Sequence, residues 1–145
     1  MSTCDIGELL AAAKCFETLM PGQKVSVELQ LLCEIWSEFT APDLYQSAAA
    51  EASVVVKGSA GRLFTVGMYN NNVATRYLQG FQAAALPANG TVPVFSIPVG
   101  AGASVFQLFG DRGLSFGTGI VLANSSTALT LTIGAADSLF TASYR

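Results

Sequence analysis

The hydrophobic period changes once along this chain, and that change limits the fold more than any single residue does. Up to Phe39 the apolar residues recur at helical spacing. Ser2 reads as an N-cap with Asp5 three residues on, a carboxylate suited to the positive end of a helix. Ile6, Leu9, Ala13, Phe16 and Met20 follow at three- and four-residue steps, until Pro21-Gly22 stops the pattern. Val25, Leu29, Leu32, Trp36 and Phe39 then form a second stripe, with Glu28, Glu34 and Glu38 off it. Two amphipathic helices with a short Pro-Gly turn predict an antiparallel hairpin over residues 1–43. Asp43 and the alanine-rich residues 48–52 lead into the rest of the chain.

From Ser53 onward the period is two. Phe64, Val66 and Met68 alternate with Thr65 and Gly67; Tyr77, Gln79, Phe81 and Ala83 follow, then Phe95, Ile97 and Val99. Leu114, Phe116, Thr118, Ile120 and Leu122 share one face, and Leu129, Leu131 and Ile133 alternate with Thr130 and Thr132 as the cleanest strand pattern. A last strand runs from Leu139 to Tyr144. Turn signals separate these runs: the glycines at 58 and 61, the asparagines at 70–72, Asn89-Gly90, Gly100-Ala101-Gly102, Gly110-Asp111-Arg112-Gly113, Asn124-Ser125-Ser126 and Gly134. About eight short strands at this spacing predict an antiparallel sandwich, jelly roll or barrel. The expected fold is therefore mainly β, a jelly-roll-like β-sandwich over residues 44–145 carrying an N-terminal α-helical hairpin. Strand pairing is invisible in periodicity, so jelly-roll and immunoglobulin-like orders both stay open. Pro93 and Pro98 fit an edge strand or bends.

A chain of 145 residues is long enough to bury a full core. Charged residues make up only 12% while hydrophobic ones make up 51%, which is too apolar for disorder and lean in the charge that keeps monomers apart. The pattern therefore points to apolar surface that faces other subunits. Net charge is −3, without the clustered Lys and Arg of a nucleic-acid footprint, so no nucleic-acid partner is expected. The acids concentrate in residues 1–43, and the bases outnumber them in residues 44–145. No basic n-region, apolar h-region or run of ~18 apolar residues is present, so the expectation is a protein made and folded in a cytoplasm with no membrane partner. Cys4, Cys15 and Cys33 form no C-x-x-C and are expected to stay reduced.

The search for chemistry is short. The chain has no histidine, which removes Ser-His and Cys-His couples and imidazole metal ligands. Carboxylates alone run glycoside hydrolysis, but residues 44–145 hold only Glu51, Asp111 and Asp137. Gly100-Ala101-Gly102 lacks the third glycine of a phosphate cradle, since Val105 stands there. No carboxylate cluster suits calcium. No catalytic residue, metal site or cofactor is expected, and the chain reads as non-enzymatic. Among the aromatics, core packing is the default for alternating strand positions such as Phe106 and Phe116. Tyr69 and Tyr77 flank the asparagine turn and, with Asn71, form the one rim expected to meet a ligand.

The stretches Leu9-Leu10-Ala11-Ala12-Ala13-Lys14-Cys15-Phe16 and Leu29-Gln30-Leu31-Leu32-Cys33-Glu34-Ile35 resemble the short helical N-terminus of small structural proteins of tailed bacteriophages. Residues 83–94, residues 116–127 and the ending Ala142-Ser143-Tyr144-Arg145 resemble β-domains of such proteins. The resemblance implies a virion component, a head decoration (cement), neck, fibre or baseplate subunit made in the host bacterial cytoplasm. It implies no reaction. It also implies a homo-oligomer, by analogy a trimer, in contact with the major capsid or another virion protein. The stripe Leu29, Leu32, Trp36 and Phe39 is the expected assembly interface, with Trp36 as its anchor. The competing expectation is a carbohydrate- or receptor-binding module at a fibre or tail tip, and the third is a small glycoside hydrolase.

Overall fold

The computed structural model describes residues 41–145. The expected hairpin and its stripe of Leu29, Leu32, Trp36 and Phe39 lie outside the described residues, apart from 41–43. Among the described residues there is no helix, and nine strands follow one another: β1 (Asp43–Gln46), β2 (Ser53–Lys57), β3 (Gly61–Asn70), β4 (Arg76–Gln82), β5 (Phe95–Val99), β6 (Ser104–Leu108), β7 (Leu114–Phe116), β8 (Ile120–Ser125) and β9 (Ser138–Tyr144). Two antiparallel sheets result. The five-stranded sheet has the order β1-β9-β3-β6, with β7 also on β3, and the four-stranded sheet has the order β2-β8-β4-β5.

The pairing is nested. β1 pairs β9, β2 pairs β8, β3 pairs β6 and β4 pairs β5, so the chain doubles back on itself as one long antiparallel ribbon. Coiling of that ribbon adds the two remaining contacts, β9 on β3 and β8 on β4, and separates it into two sheets. One core lies between them. Leu63, Val66, Met68, Phe116, Phe140 and Ala142 enter it from the five-stranded sheet, and Val56, Leu78, Val99, Ile120 and Leu122 from the four-stranded one. The alternation of Val66 and Met68 in β3, and of Ile120 and Leu122 in β8, places these side chains on the inner faces. β3 keeps Leu63 inward only by a bulge: its pairing to β9 shifts between Leu63 and Thr65. Phe64 occupies the extra position, with the Arg145 guanidinium 5.5 Å above its ring.

Two expected strands differ in the structure. Leu114 to Leu122 is not one run: β7 belongs to the five-stranded sheet and β8 to the other, with residues 117–119 crossing between them. Gly119 makes the crossing possible, because a Cβ there would lie 2.5 Å from the Ala83 carbonyl oxygen and 2.8 Å from that of Lys57. The second correction concerns Leu129, Leu131 and Ile133, which form no strand beyond a single bridge between Ser125 and Ile133. Leu131 is buried and Leu129 is 82% exposed, so the alternation does not mark one face of a sheet. The segment is instead an irregular cover. It lays Leu131 against Phe81, Val121 and Ala123 in a second cluster outside the four-stranded sheet. Its backbone is held from elsewhere: Leu131 donates to the Thr91 carbonyl and accepts from the Gly90 N–H, both at 2.8 Å.

β1 carries no pattern that the sequence reading identified as a strand, whereas β6 follows Gly100-Ala101-Gly102, where a strand rather than a helix is expected. Pro98 sits on β5, the end strand of its sheet, where a missing N–H disrupts no ladder. Asn89-Gly90 does make a turn, with Gly90 at a φ of 91° and Thr91 donating to the Ala88 carbonyl.

Candidate functional site

The two outer faces of the sandwich differ. That of the four-stranded sheet is sealed by residues 126–133, and a buried glutamine fastens the seal. Gln79 points outward from β4, and its Nε2 lies 2.8 Å from the Thr127 carbonyl oxygen, 3.1 Å from that of Ala128 and 3.4 Å from that of Thr130. Ser125 Oγ adds bonds to the Thr127 and Thr130 carbonyl oxygens and accepts from the Thr132 N–H. Val121, Ala123 and Ser125 are thereby buried although they face away from the main core.

The outer face of the five-stranded sheet has no such cover among the described residues. Most of its side chains stand in three cross-strand rows, and Arg62 and Arg145 stand beyond them, where β7 pairs with β3. One row runs Leu44, Ser143, Thr65, Leu108; the next runs Gln46, Thr141, Gly67, Phe106; the third runs Leu139, Tyr69, Ser104. None of the residues in these three rows is charged. Leu44 is 80% exposed, Phe106 62% and Leu108 61%, and the ring of Tyr69 is also open to solvent. The sequence default of core packing is therefore corrected for Phe106, which sits on the outward side of an edge strand. Thr65 and Ser143 satisfy each other through a hydroxyl pair at 2.7 Å, so the middle of the face is dry of unmet polar groups there.

Gly67 makes a depression in this face. Lacking a side chain between Thr141 and Phe106, it floors a groove of about 360 Å³ with Gln46, Tyr69, Ser104, Phe106, Leu139 and Thr141 around it. A Cβ at this position would stand 2.7 Å from Thr141 Cγ2 and 3.3 Å from the Phe106 ring, so even alanine would begin to fill it. Two aromatic side chains, apolar walls and a few hydroxyl and amide groups make a surface for apolar or amphipathic matter and offer no reacting group.

Of the rim expected from sequence, Tyr69 lines the groove, whereas Asn71 and Tyr77 do not. Tyr77 belongs to β4 in the other sheet, and Asn71 lies exposed in the turn after β3. That turn is built by its neighbours. Asn70 is fully buried and its Nδ2 donates to the carbonyls of Ala74, Val99 and Gly100, while its Oδ1 accepts from the Asn72 N–H. Two of the carboxylates are committed elsewhere. Asp137 accepts from Asn72 Nδ2 at 2.5 Å and from Asn124 Nδ2 at 2.6 Å, with Arg76 at 3.8 Å. Glu51 accepts from the Tyr45 hydroxyl at 2.6 Å. Burial, and then that bond to a carboxylate, push the Tyr45 phenol above its ordinary value. Asp111 is exposed in the turn closed by the Gly113 N–H on the Gly110 carbonyl. No group of three or more His, Cys, Asp or Glu gathers among the described residues.

Sequence reasoning missed this face because Phe106, read as an alternating strand position, was expected to pack in the core. The signal was present in Val105-Phe106-Gln107-Leu108, a short run with β-forming residues and no charge. No protein-family model matches the chain, and neither a curated protein nor a solved structure matches it.

Proposed function

We propose that this protein is a non-enzymatic structural component of a tailed-bacteriophage virion. In this reading it is a jelly-roll sandwich that assembles with copies of itself, as a trimer, and docks on the major capsid protein or another virion protein as a head decoration (cement) or fibre-type subunit. The observation that carries the self-assembly is the bare outer face of the five-stranded sheet, whose three rows away from β7 carry no charge. Leu44, Tyr69, Phe106 and Leu108 stand in solvent there, while the opposite face of the sandwich is sealed by its own loop. Large apolar side chains gathered on one face are the usual mark of a protein–protein contact. The nested ladder order supports the jelly-roll assignment, a double-sheet architecture used by viral capsid and lectin domains. Committed carboxylates and the lack of histidine favour a structural role over a hydrolytic one.

Light scattering on a sizing column, at two concentrations, tests the reading. A multiple of the 15.1 kDa chain mass is expected at the higher concentration. A monomer at every concentration would sink self-assembly.

The groove over Gly67 favours one second reading, a module that binds saccharide. Tyr69 and Phe106 would supply apolar ring faces, and Gln46, Ser104 and Thr141 the polar contacts. Binding of an oligosaccharide from a glycan array that Gly67→Val abolishes, with the fold intact, would establish that reading. An array with no bound glycan would end it.

A further inference from the structure

The two sheets have four edges, and three are blunted against pairing with another chain. β1 is only four residues long, follows Pro42 and opens on Asp43. β2 carries a register shift between Val55 and Lys57, together with the lysine charge. β5 carries Pro98, which removes a donor. These are the devices by which natural sheets avoid edge-to-edge association. β6 has none of them: Ser104, Val105, Phe106, Gln107 and Leu108 include no charge, proline or glycine, and pair with β3 without a bulge.

The hydrogen-bond phase of β6 follows from its two ends. Asn70 donates to the Ala103 carbonyl at 2.9 Å, and Phe109 donates to the Phe64 carbonyl at 2.8 Å. Antiparallel ladders alternate bonded and non-bonded pairs, so Val105 and Gln107 turn their backbone groups to β3. Ser104, Phe106 and Leu108 turn theirs to the opposite edge, which no strand among the described residues occupies. At Leu108 the side chain of Gln107 stands in, its Nε2 donating to the Leu108 carbonyl at 2.7 Å.

We propose that β6 is an assembly edge that pairs antiparallel with β6 of a second copy of this chain, about a two-fold axis at Phe106. The proposal rests on the self-assembly reading and specifies one of its contacts. The outward backbone groups are disposed symmetrically about Phe106, so one register satisfies all of them. Phe106 pairs with its counterpart, and each Ser104 pairs with the Leu108 of the other copy. Two bonds from each bonded pair make about six across the axis. Both Phe106 rings then lie side by side on the outward face, beside the groove over Gly67. Nothing in the flanks opposes this register. Asp111 and Arg112, beyond one end of β6, would approach residues 99–103 of the other copy, which are uncharged. The two bare faces become one continuous surface. A two-fold contact cannot itself build a trimer, so it joins chains, or trimers, in pairs.

The test compares the full-length wild type with Phe106→Pro and with Ser104→Pro. Each proline removes an N–H that faces the open edge and leaves the bonds to β3 in place. The wild type is expected to scatter as an even multiple of 15.1 kDa, and each variant, with unchanged circular dichroism, as half of that mass. Hydrogen exchange on the wild type gives an independent readout that needs no variant: the Phe106 and Leu108 amides are expected to gain protection of at least tenfold as concentration rises through the assembly range. A folded variant that keeps the wild-type mass, or Phe106 and Leu108 amides that exchange freely in the oligomer, would overturn the edge while leaving self-assembly standing. A wild type monomeric at every concentration overturns both.

Discussion

Phe140→Ala is expected to lower the stability of the sandwich by about 3–5 kcal/mol, the usual result of truncating a buried phenylalanine. Phe140 is fully buried in β9, which lies between β1 and β3 and pairs with both. Its cross-strand partner on β3 is Met68, itself almost wholly buried. The cavity would therefore open in the middle of the core shared by the two sheets, where neighbours on three strands are already fixed by ladders and cannot collapse into it. For a domain near 100 residues each kcal/mol shifts the melting temperature by about 4–8 °C, so a fall of more than ~12 °C is expected. Thermal unfolding followed by circular dichroism reads it directly. A loss below about 1 kcal/mol would mean that Phe140 does not sit in the core.

Gln79→Leu is expected to cost on the order of 1–3 kcal/mol, and to do so locally. The leucine fills much of the same volume but leaves the Ala128 carbonyl without its donor, while the carbonyls of Thr127 and Thr130 lose one donor and keep Ser125 Oγ. Each buried acceptor without a donor costs about 1–3 kcal/mol. Two effects reduce the sum. Gln79 Oε1 has no partner in the wild type, so its removal relieves a penalty already present, and water can reach the loosened carbonyls. The discriminating readout is hydrogen exchange. Leu131 and Gly90 hold the cover through their amides, so these two should lose protection well before the core strands do. Phe140→Ala, in contrast, should raise exchange throughout both sheets. Equal loss of protection at Leu131 and in β8 after Gln79→Leu would show that the cover is not a separate unit.

The same glutamine explains why part of the fold was illegible in sequence. Gln79 was read as one member of a strand alternation, which it is, with no indication that its amide would collect three carbonyls some fifty residues away. Leu129, Leu131 and Ile133 fit a strand template closely, yet the backbone groups of residues 130–132 are claimed by the side chains of Gln79 and Ser125 and by the Thr91 carbonyl rather than by a strand ladder. A periodic pattern reports which side chains seek cover, not which partner supplies the hydrogen bonds. Leu114 to Leu122 makes the related point. Phe116, Ile120 and Leu122 do all face the core as their spacing indicates, but from opposite sheets, because the chain turns at Gly119.

For the site, Tyr69 was singled out for lying beside the asparagine turn, and the structure places it on the wall of the groove. Tyr77 was paired with it on proximity in sequence, whereas β3 and β4 belong to different sheets. Adjacency across a turn does not imply adjacency in space when the chain changes layers.

By itself the sequence determined that the described part of this protein is built of short antiparallel strands, where most of them lie, and that no histidine chemistry operates. Those properties follow from local preferences: period-two patterning, turn residues and the titratable groups available. Only the tertiary structure decided which strand pairs with which, that one outer face is sealed by residues 126–133, and that the other is left open with Phe106 and Leu108 in solvent. Pairing and coverage are long-range events, settled by which distant backbone groups and side chains satisfy one another once the ribbon coils. That information is spread over the whole chain rather than held in any window of it.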